Sequence, residues 1–382
     1  MTLKVAKRGN VPPFIVMDVM RAADEREAAG EDVLHLEVGQ PGTSAPEAVI
    51  KAAELALRED NIGYTVALGI PKLRERISRH YQNFYGLTVS PDNIAVTGGS
   101  SCGFILAFLA AFDAGDRVAL ASPGYPAYRN ILLGVGVEVI DIPVGPDTNF
   151  QPTPDELDSI EGEIDGLIIA SPSNPAGTMI SSNKLQYLVE HCRDRGIRLI
   201  SDEIYHGLTY EQEATSALSF TNDAIIINSF SKYFSMTGWR LGWMIVPDAL
   251  LRAVECLAQN LFISPPTLSQ LAAVAAFDCT QEINNNINRY TDNRKLLLEE
   301  LPKAGFNKLA SADGGFYIYA DISEMSEDSD DFCKRMLAET GVAATPGIDF
   351  DPTRGHRYVR FSFAGTTQDM AEAARRLNVW LK

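Results

Sequence analysis

The chain has 382 residues, of which 46% are hydrophobic, and is long enough for two or three folded domains with large apolar cores. Its formal net charge of −17 argues against nonspecific binding to nucleic acid or anionic lipid, because like charges repel. The five cysteines are odd in number and never form a CxxC pair, so we expect free thiols in a reducing compartment.

The N-terminal region makes a poor signal peptide. Its apolar stretch is interrupted by Pro12 and Pro13 and is closed by Asp18. The longest strongly apolar run, residues 102–112, is too short to span a bilayer. These observations predict a cytoplasmic protein.

Strands and helices alternate along most of the chain. Helical spacing covers residues 15–29, a strand over 33–38 ends at Gly39, and prolines suited to a first helical turn open helices at 46–58 and 71–85. The pattern continues with strands at 94–97, 117–121, 137–142, 167–170, 197–201 and around Ile226 and Met244, and with helices at 102–112, 125–133 and 183–195 and near Pro154. This alternation predicts an α/β fold in which a mostly parallel, seven-stranded sheet lies between helices.

The last third of the chain has a different pattern. Helical spacing dominates 247–301, and strands follow at 316–321 and 358–363. A smaller α/β domain is expected there. The predicted division is an N-terminal segment at 1–45 that packs with the small domain, a large domain at 46–284 and a small C-terminal domain at 285–382.

A glycine-rich stretch, Gly98-Gly99-Ser100-Ser101-Cys102-Gly103, lies between a predicted strand and helix. Free N–H groups at a helix N-terminus bind anions, which favours a phosphate site. A simple glycine-rich turn is the alternative interpretation, and both remain open. The stretch also matches G-x-S-x-G, which would make Ser101 a hydrolase nucleophile with His356 as its base, although no HGGG-type loop accompanies it.

Polar residues follow three later strands, and ligands gather at the carboxyl ends of strands in such sheets. Asn174 is either a donor to a ligand oxygen or a turn residue, and Asp202 is either a partner for a cationic ring nitrogen or a helix cap. Lys232 lies between two apolar runs, where burial lowers a lysine's pKa and makes the amine reactive. Ser229 and Lys232 also match the S-x-x-K acyltransferase pattern, but the S-D-N and K-T-G companions are missing.

Taken in order, these elements resemble the fold-type I pyridoxal-phosphate enzymes, specifically the class I/II aminotransferases of the aspartate aminotransferase superfamily. The resemblance extends from Gly39 to Arg360. It is carried by Gly98-Gly99-Ser100, Tyr125, Asn174-Pro175-x-Gly177, Asp202-x-x-Tyr205, Ser229-x-Ser231-Lys232 and Arg240. It implies pyridoxal 5'-phosphate as cofactor and a ping-pong transfer of an amino group from an amino acid to a 2-oxo acid.

The resemblance also implies a role for each matching residue. Lys232 would be the Schiff-base lysine and the proton carrier, Asp202 would pair with the ring nitrogen, and Tyr205 would hold the ring oxygen together with Asn174. Tyr125 would stack on the ring. The remaining cofactor contacts would come from Gly99, Ser100, Ser101, Ser229, Ser231, Arg240 and Tyr64.

Tyr64 would reach the phosphate from a second subunit, so the resemblance implies a homodimer with shared sites. The substrate's α-carboxylate would be bound by Arg360 and by the backbone of Gly39, with Asn174 beside them. Arg357 is the alternative clamp.

Relatives that act on dicarboxylates carry an arginine shortly before the Ser-Pro-Pro stretch or a lysine in the phosphate loop. Here the stretch 258–264 has no arginine, and Ser100 occupies the lysine's place. This departure predicts a neutral or apolar amino donor, with 2-oxoglutarate or pyruvate as acceptor. Phe14, Ile15 and Phe262 are either pocket residues or ordinary core.

Alternatives to a transaminase remain at this point. The same fold also serves carbon-sulfur β-lyases, a cofactor-binding regulatory module is a second alternative, and the serine hydrolase is a third. The five histidines show no metal-ligand spacing, so no metal site is expected.

Overall fold

The computed structural model describes residues 3–382, so the first two residues of the predicted 1–45 segment lie outside it. The helices are α1 (Ile15–Ala28), α2 (Glu47–Glu59), α3 (Pro71–Tyr85), α4 (Ser100–Ala111), α5 (Pro126–Val135), α6 (Pro154–Asp158), α7 (Ser182–Asp194), α8 (Asp248–Leu261), α9 (Thr267–Ala273), α10 (Thr280–Glu300), α11 (Ser329–Thr340) and α12 (Thr367–Trp380). The strands are β1 (Leu34–His35), β2 (Ile94–Thr97), β3 (Arg117–Ser122), β4 (Glu138–Pro143), β5 (Gly166–Ala170), β6 (Arg198–Asp202), β7 (Ile225–Ser229), β8 (Gly242–Ile245), β9 (Lys308–Leu309), β10 (Tyr317–Asp321), β11 (Val342–Ala343), β12 (Thr345–Pro346) and β13 (Tyr358–Ser362).

The central sheet has seven strands in the order β2-β8-β7-β6-β5-β3-β4. Strand β8 runs antiparallel to both of its neighbours, and the pairs among β7, β6, β5, β3 and β4 are parallel. Strands β2, β7 and β8 are buried along their whole length, as expected for apolar runs covered by helices on both faces. The predicted fold class is confirmed.

The order of the strands places the functional motifs at one edge of the sheet. Strands β2 and β7 point the same way because β8, which lies between them, is antiparallel to both. The carboxyl ends of β2, β3, β5, β6 and β7 therefore meet at the same edge. Asp202 is the last residue of β6, and the turns that follow the other strands carry the glycine-rich stretch, Tyr125, Asn174 and Lys232.

A second sheet lies in the last third of the chain, with the antiparallel order β12-β13-β10-β9. Its apolar cluster includes side chains from α10, α11 and α12 and also Leu34 and Leu36 from the N-terminal segment. Strand β1 pairs with β11 in parallel, which ties the start of the chain to its end. The N-terminal segment is thus packed against C-terminal elements.

Several elements differ from the prediction. The expected strand at 33–38 is reduced to Leu34–His35, because β1 pairs only with the two-residue strand β11. After β1, the carbonyl oxygen of Glu37 accepts a hydrogen bond from the side-chain hydroxyl of Thr345 rather than from the backbone of a neighbouring strand. Helix α4 begins at Ser100, two residues earlier than expected, because Gly99 completes the turn before it.

Two absences are found within residues 3–382. None of the helices there is long and apolar enough to cross a membrane. No group of three or more potential metal ligands is found in the same part of the chain.

Candidate active site

A cavity of about 430 Å³ opens at the carboxyl edge of the central sheet. Its walls come from three parts of the chain: the turns after the sheet strands, the N-terminal segment, and strands β10 and β13. Its lining residues include Phe14, Val16, Met17, Met20, Gly39, Ser100, Ser101, Tyr125, Tyr128, Asn174, Asp202, Tyr205, Ser231, Lys232, Arg240, Tyr317 and Arg360. The cavity therefore gathers residues that are more than 300 positions apart in sequence.

Lys232 reaches into this cavity from the turn after β7. Its Nζ donates a hydrogen bond to the carbonyl oxygen of Gly39. Burial is the main cause that lowers the pKa of Lys232 to about 8, and the positive charges of Arg360 and Arg240 lower it further. The neutral amine is therefore more populated near neutral pH than in an exposed lysine, and it can act as a nucleophile or a base.

Asp202 is a buried carboxylate at the end of β6. Its Oδ1 accepts a hydrogen bond from the N–H of Ile204 at 3.0 Å, and its Oδ2 accepts one from the phenol of Tyr128. Burial raises the pKa of Asp202 to about 6, although these hydrogen bonds oppose the rise. A cationic group in the cavity would lower this pKa again by favouring the ionised form. Asp202 thus closes a local turn and also lines the cavity, where its carboxylate could pair with a positive charge.

Arg360 is buried on β13 and is held from several sides. Nη1 donates to Oδ1 of Asn174 at 2.8 Å, and Nη2 donates to Oγ1 of Thr345 at 3.1 Å and to the carbonyl oxygen of Glu37. The guanidinium carbon lies 4.4 Å from the centre of the Tyr317 ring. Nε is buried without a hydrogen-bond partner among residues 3–382. This cation is oriented in advance and has donor capacity left for a carboxylate.

Three aromatic residues complete the polar side of the cavity. The hydroxyl of Tyr205 lies 2.8 Å from that of Tyr317. A β-carbon at Gly39 would lie 1.8 Å from the Tyr317 hydroxyl oxygen, so only glycine fits against this ring. Tyr125 ends the turn before α5 and lines the cavity with its ring.

The glycine-rich stretch forms a concave backbone surface at the N-terminus of α4. Gly99 has φ +80°, and a β-carbon there would lie 2.6 Å from Nη2 of Arg240. The free N–H groups of the first turn, at Ser100 and Ser101, lie beside this arginine. A helix N-terminus next to an exposed guanidinium is a site for an anion such as phosphate.

The two serines of the Ser-x-Ser-Lys motif differ in position. Ser229 is fully buried, and its Oγ donates to Oγ of Ser231 at 2.9 Å and lies 3.1 Å from the carbonyl oxygen of Leu241. Ser231 lines the cavity, and Ser229 is not among the lining residues. Ser229 thus contacts the cavity through Ser231.

One wall of the cavity is apolar and comes from the first helix. Val16, Met17 and Met20 of α1 line it, together with Phe14 immediately before the helix. The ring of Phe14 meets the ring of Tyr125 edge to face, with centres 5.7 Å apart. Of the three pocket candidates from the sequence, Phe14 lies on the wall, whereas Ile15 and Phe262 are not among its described lining residues.

Two further sequence candidates lie elsewhere. Tyr64 has an 84% exposed side chain and does not line the cavity of its own chain. Arg357, the alternative carboxylate clamp, has a half-exposed side chain and lies 3.8 Å from a carboxylate oxygen of Asp321.

Sequence reasoning missed Tyr128, Tyr317 and Thr345. Tyr128 lies three residues after Tyr125, and that helical spacing puts both on one face, so a signal was present. Tyr317 and Thr345 lie in strands that carry no polar motif, and nothing in the sequence marked them.

The side chains present fit pyridoxal phosphate. The cofactor brings an aldehyde, a ring nitrogen that becomes cationic and a phosphate. The cavity offers an amine of lowered pKa at Lys232, a buried carboxylate at Asp202 and an anion cradle beside Arg240. Each group of the cofactor thus has a residue of suitable charge.

Comparison with known proteins gives a consistent result. The family model described as aminotransferase class I and II matches residues 31–377. A valine–pyruvate aminotransferase of Mycobacterium tuberculosis is 52% identical, and the match covers 100% of this chain and 99% of that protein. A crystal structure of an aminotransferase from Mycobacterium tuberculosis matches with a TM-score of 0.98 at 52% identity, over 100% and 99% of the two chains. An aspartate aminotransferase from Thermus thermophilus, solved with maleate, matches with a TM-score of 0.93 at 30% identity, over 99% and 100%.

Proposed function

The chain belongs to the class I and II aminotransferases, and from this premise we propose that it transfers an amino group from a neutral or apolar L-amino acid to pyruvate or 2-oxoglutarate. Its activity as a pyridoxal-phosphate-dependent aminotransferase acting on amino acids and 2-oxo acids follows from the family and from its relatives. The proposal adds the class of donor and the roles of the residues. A single observation supports the proposal. Lys232, Asp202 and Arg360 line one cavity, and the apolar side chains of α1 line another wall of the same cavity.

We propose Lys232, Asp202 and Tyr205 as the catalytic residues. Pyridoxal phosphate, when bound, supplies an aldehyde that accepts the amino group and a ring that withdraws electrons from the substrate Cα. Lys232 moves the proton at that Cα, because its lowered pKa suits it to both accepting and donating a proton. Asp202 holds the ring nitrogen in its cationic form, and Tyr128 holds Asp202 by a hydrogen bond.

The remaining polar residues are proposed to bind and orient. Asn174 and Tyr205 would hold the ring oxygen of the bound cofactor, and Tyr125 would contact its ring. The phosphate and its surroundings are held by Gly99, Ser100, Ser101, Ser229, Ser231 and Arg240. Arg360 binds the substrate α-carboxylate with its spare donors, beside the backbone of Gly39.

The apolar wall determines the proposed class of donor. The cationic side chains that line the cavity within residues 3–382 are Lys232, Arg240 and Arg360, each already proposed for another role. A second carboxylate, on the donor or on 2-oxoglutarate as acceptor, would lie against Val16, Met17 and Met20 without a partner, which is costly for a desolvated charge. The same wall therefore favours pyruvate over 2-oxoglutarate as acceptor. The valine–pyruvate relative is consistent with this proposal.

A donor panel tests this class directly. Wild-type protein loaded with pyridoxal phosphate is assayed with valine, leucine, alanine and aspartate, each with pyruvate and with 2-oxoglutarate. We expect kcat/KM to favour valine over aspartate by at least about tenfold, because the unpaired carboxylate is disfavoured at the apolar wall. A preference for aspartate would overturn the donor class. Pyruvate release from cysteine without any acceptor would favour the β-lyase instead.

A homodimer with shared sites is also proposed. Exposed apolar side chains cluster on two adjacent segments, which are joined where the N–H of Thr65 lies 3.4 Å from Oγ of Ser264. The cluster consists of Ile62, Tyr64, Val66, Leu261 and Ile263. A contiguous exposed patch of this kind marks a protein interface, and it includes the tyrosine proposed to reach a partner's phosphate site.

A charge in this patch is expected to weaken the dimer. Val66→Asp, at a side chain that is 60% exposed, would bury an unpaired carboxylate in the interface. Light scattering should show the mass falling from that of two chains toward that of one, with activity falling as well. The matched control is Val379→Asp, which changes a similarly exposed valine on α12 and should leave the mass unchanged. A wild-type monomer would contradict the proposal.

We propose the cytoplasm as its location, which is supported by five cysteines that are all free thiols. The division at 1–45, 46–284 and 285–382 is likewise proposed. Separate apolar clusters around the central sheet and around the C-terminal sheet support it.

A further inference from the structure

The first helix has an unusual start. Phe14 occupies the position before its first turn and provides no side-chain hydrogen bond to the helix. Helices usually place a serine, threonine, aspartate or asparagine there, because the first N–H groups have no partners within the helix. The two preceding residues, Pro12 and Pro13, have no side-chain oxygen that could accept a hydrogen bond from these N–H groups either. The helix must therefore find its cap elsewhere.

The cap comes from the other end of the chain. Oδ1 of Asp349 accepts a hydrogen bond from the N–H of Ile15 at 2.8 Å, and Oδ2 accepts one from the N–H of Val16 at 3.2 Å. Asp349 is buried, and its carboxyl group lies next to the positive end of the helix, where an anion is favoured. Because this carboxylate caps the helix from outside, the position before the helix is free for an aromatic ring, and Phe14 uses it to line the cavity.

The segment that carries Asp349 is itself tied to the site. It follows β12, in which Thr345 pairs with Arg360 and lies 3.1 Å from its Nη2. The turn after β12 is closely packed, since a β-carbon at Gly347 would lie 2.4 Å from the carbonyl oxygen of Gly355. The same closely packed segment thus contacts Arg360 through Thr345 and the first helix through Asp349.

We propose that Asp349 is a positioning residue that holds α1 against the cavity and thereby sets the enzyme's preference for donors with large apolar side chains. Removing the carboxylate frees two N–H groups at the start of α1 and loosens Phe14, Val16, Met17 and Met20. A donor with a large side chain then loses contacts with this wall, whereas alanine, whose side chain is a methyl group, makes few such contacts in the first place. The inference rests on the proposed function and names the residue behind its selectivity.

The test compares Asp349→Ala with wild type in two measurements. In the cofactor-loaded protein without substrate, hydrogen exchange of peptides covering residues 14–20 should become at least about tenfold faster, because two amides lose their acceptor. In the kinetic assay with pyruvate, kcat/KM for valine should fall about tenfold, through KM, and that for alanine less than about threefold, with kcat for alanine nearly unchanged.

Two further variants keep the test decisive. Asp349→Asn retains one carbonyl oxygen and should give intermediate exchange and intermediate selectivity, and it decides the matter if the alanine variant fails to fold. Asp24→Asn removes an exposed carboxylate from α1 two turns beyond the cap, and should match wild type. Equal losses for valine and alanine, or unchanged exchange at residues 14–20, would overturn the inference. A wild-type preference for aspartate would instead overturn the proposed donor class, and the exchange measurement would still decide whether Asp349 holds α1.

Discussion

Replacement of Lys232 by alanine is expected to lower kcat for transamination by about 10⁴-fold or more, which is the upper range for loss of a general acid–base group. The physical reason is the chemistry of this one amine. Its pKa is lowered to about 8, and it is the lysine that lines the cavity within residues 3–382. None of the other described lining residues carries an amine that could take over its role. Initial rates with valine and pyruvate measure the loss.

A chemical measurement checks the same residue independently of turnover. Borohydride treatment of the loaded wild-type protein should attach the cofactor covalently, and mass spectrometry should find the added mass on the peptide that contains Lys232. The Lys232→Ala protein should remain unlabelled. Lys184→Ala removes an exposed lysine on α7 and should behave as wild type. The serine hydrolase alternative predicts the reverse pattern, with activity retained in Lys232→Ala and lost in Ser101→Ala.

Much of the site was predictable because of how parallel sheets are built. Gly99, Asn174, Asp202 and Lys232 each follow an apolar strand, and the carboxyl ends of parallel strands meet at one edge. Local pattern alone thus indicated that these residues lie together. Their individual roles were not readable from pattern, since each also had an ordinary structural interpretation, and for Asp202 the turn contact to Ile204 is present as well.

The rest of the site depends on tertiary packing that local pattern does not encode. Asp349 caps a helix more than 330 residues earlier in the chain, and no spacing rule connects the two. Strands β11 and β12 have two residues each, which is too short for any periodicity. Tyr317 stacks on Arg360 only because β10 and β13 are neighbours in the second sheet. The roles of the predicted site residues and the domain limits stay predictions.

Replacement of Arg360 by alanine is expected to raise KM for every amino donor by about 10²–10³-fold, since truncating one partner of a buried charge pair costs about 2–5 kcal/mol. The α-carboxylate is common to all donors, so valine and alanine should lose affinity by similar factors. Arg360→Lys keeps the charge but loses the two-pronged geometry, and its KM should lie between those of wild type and the alanine variant. Steady-state kinetics with both donors measure the effect.

The matched control for this prediction is Arg357→Ala. That arginine lies three residues away and is half exposed, with its nearest carboxylate at 3.8 Å, so its loss should change KM less than about twofold. An unchanged KM in Arg360→Ala together with a raised KM in Arg357→Ala would show that Arg357, and not Arg360, binds the α-carboxylate. The expected effects of replacing Arg360 and of replacing Asp349 also differ in kind. Loss of Arg360 weakens all donors alike because it removes a contact to their shared carboxylate, whereas loss of Asp349 weakens donors in proportion to the side chain that meets α1.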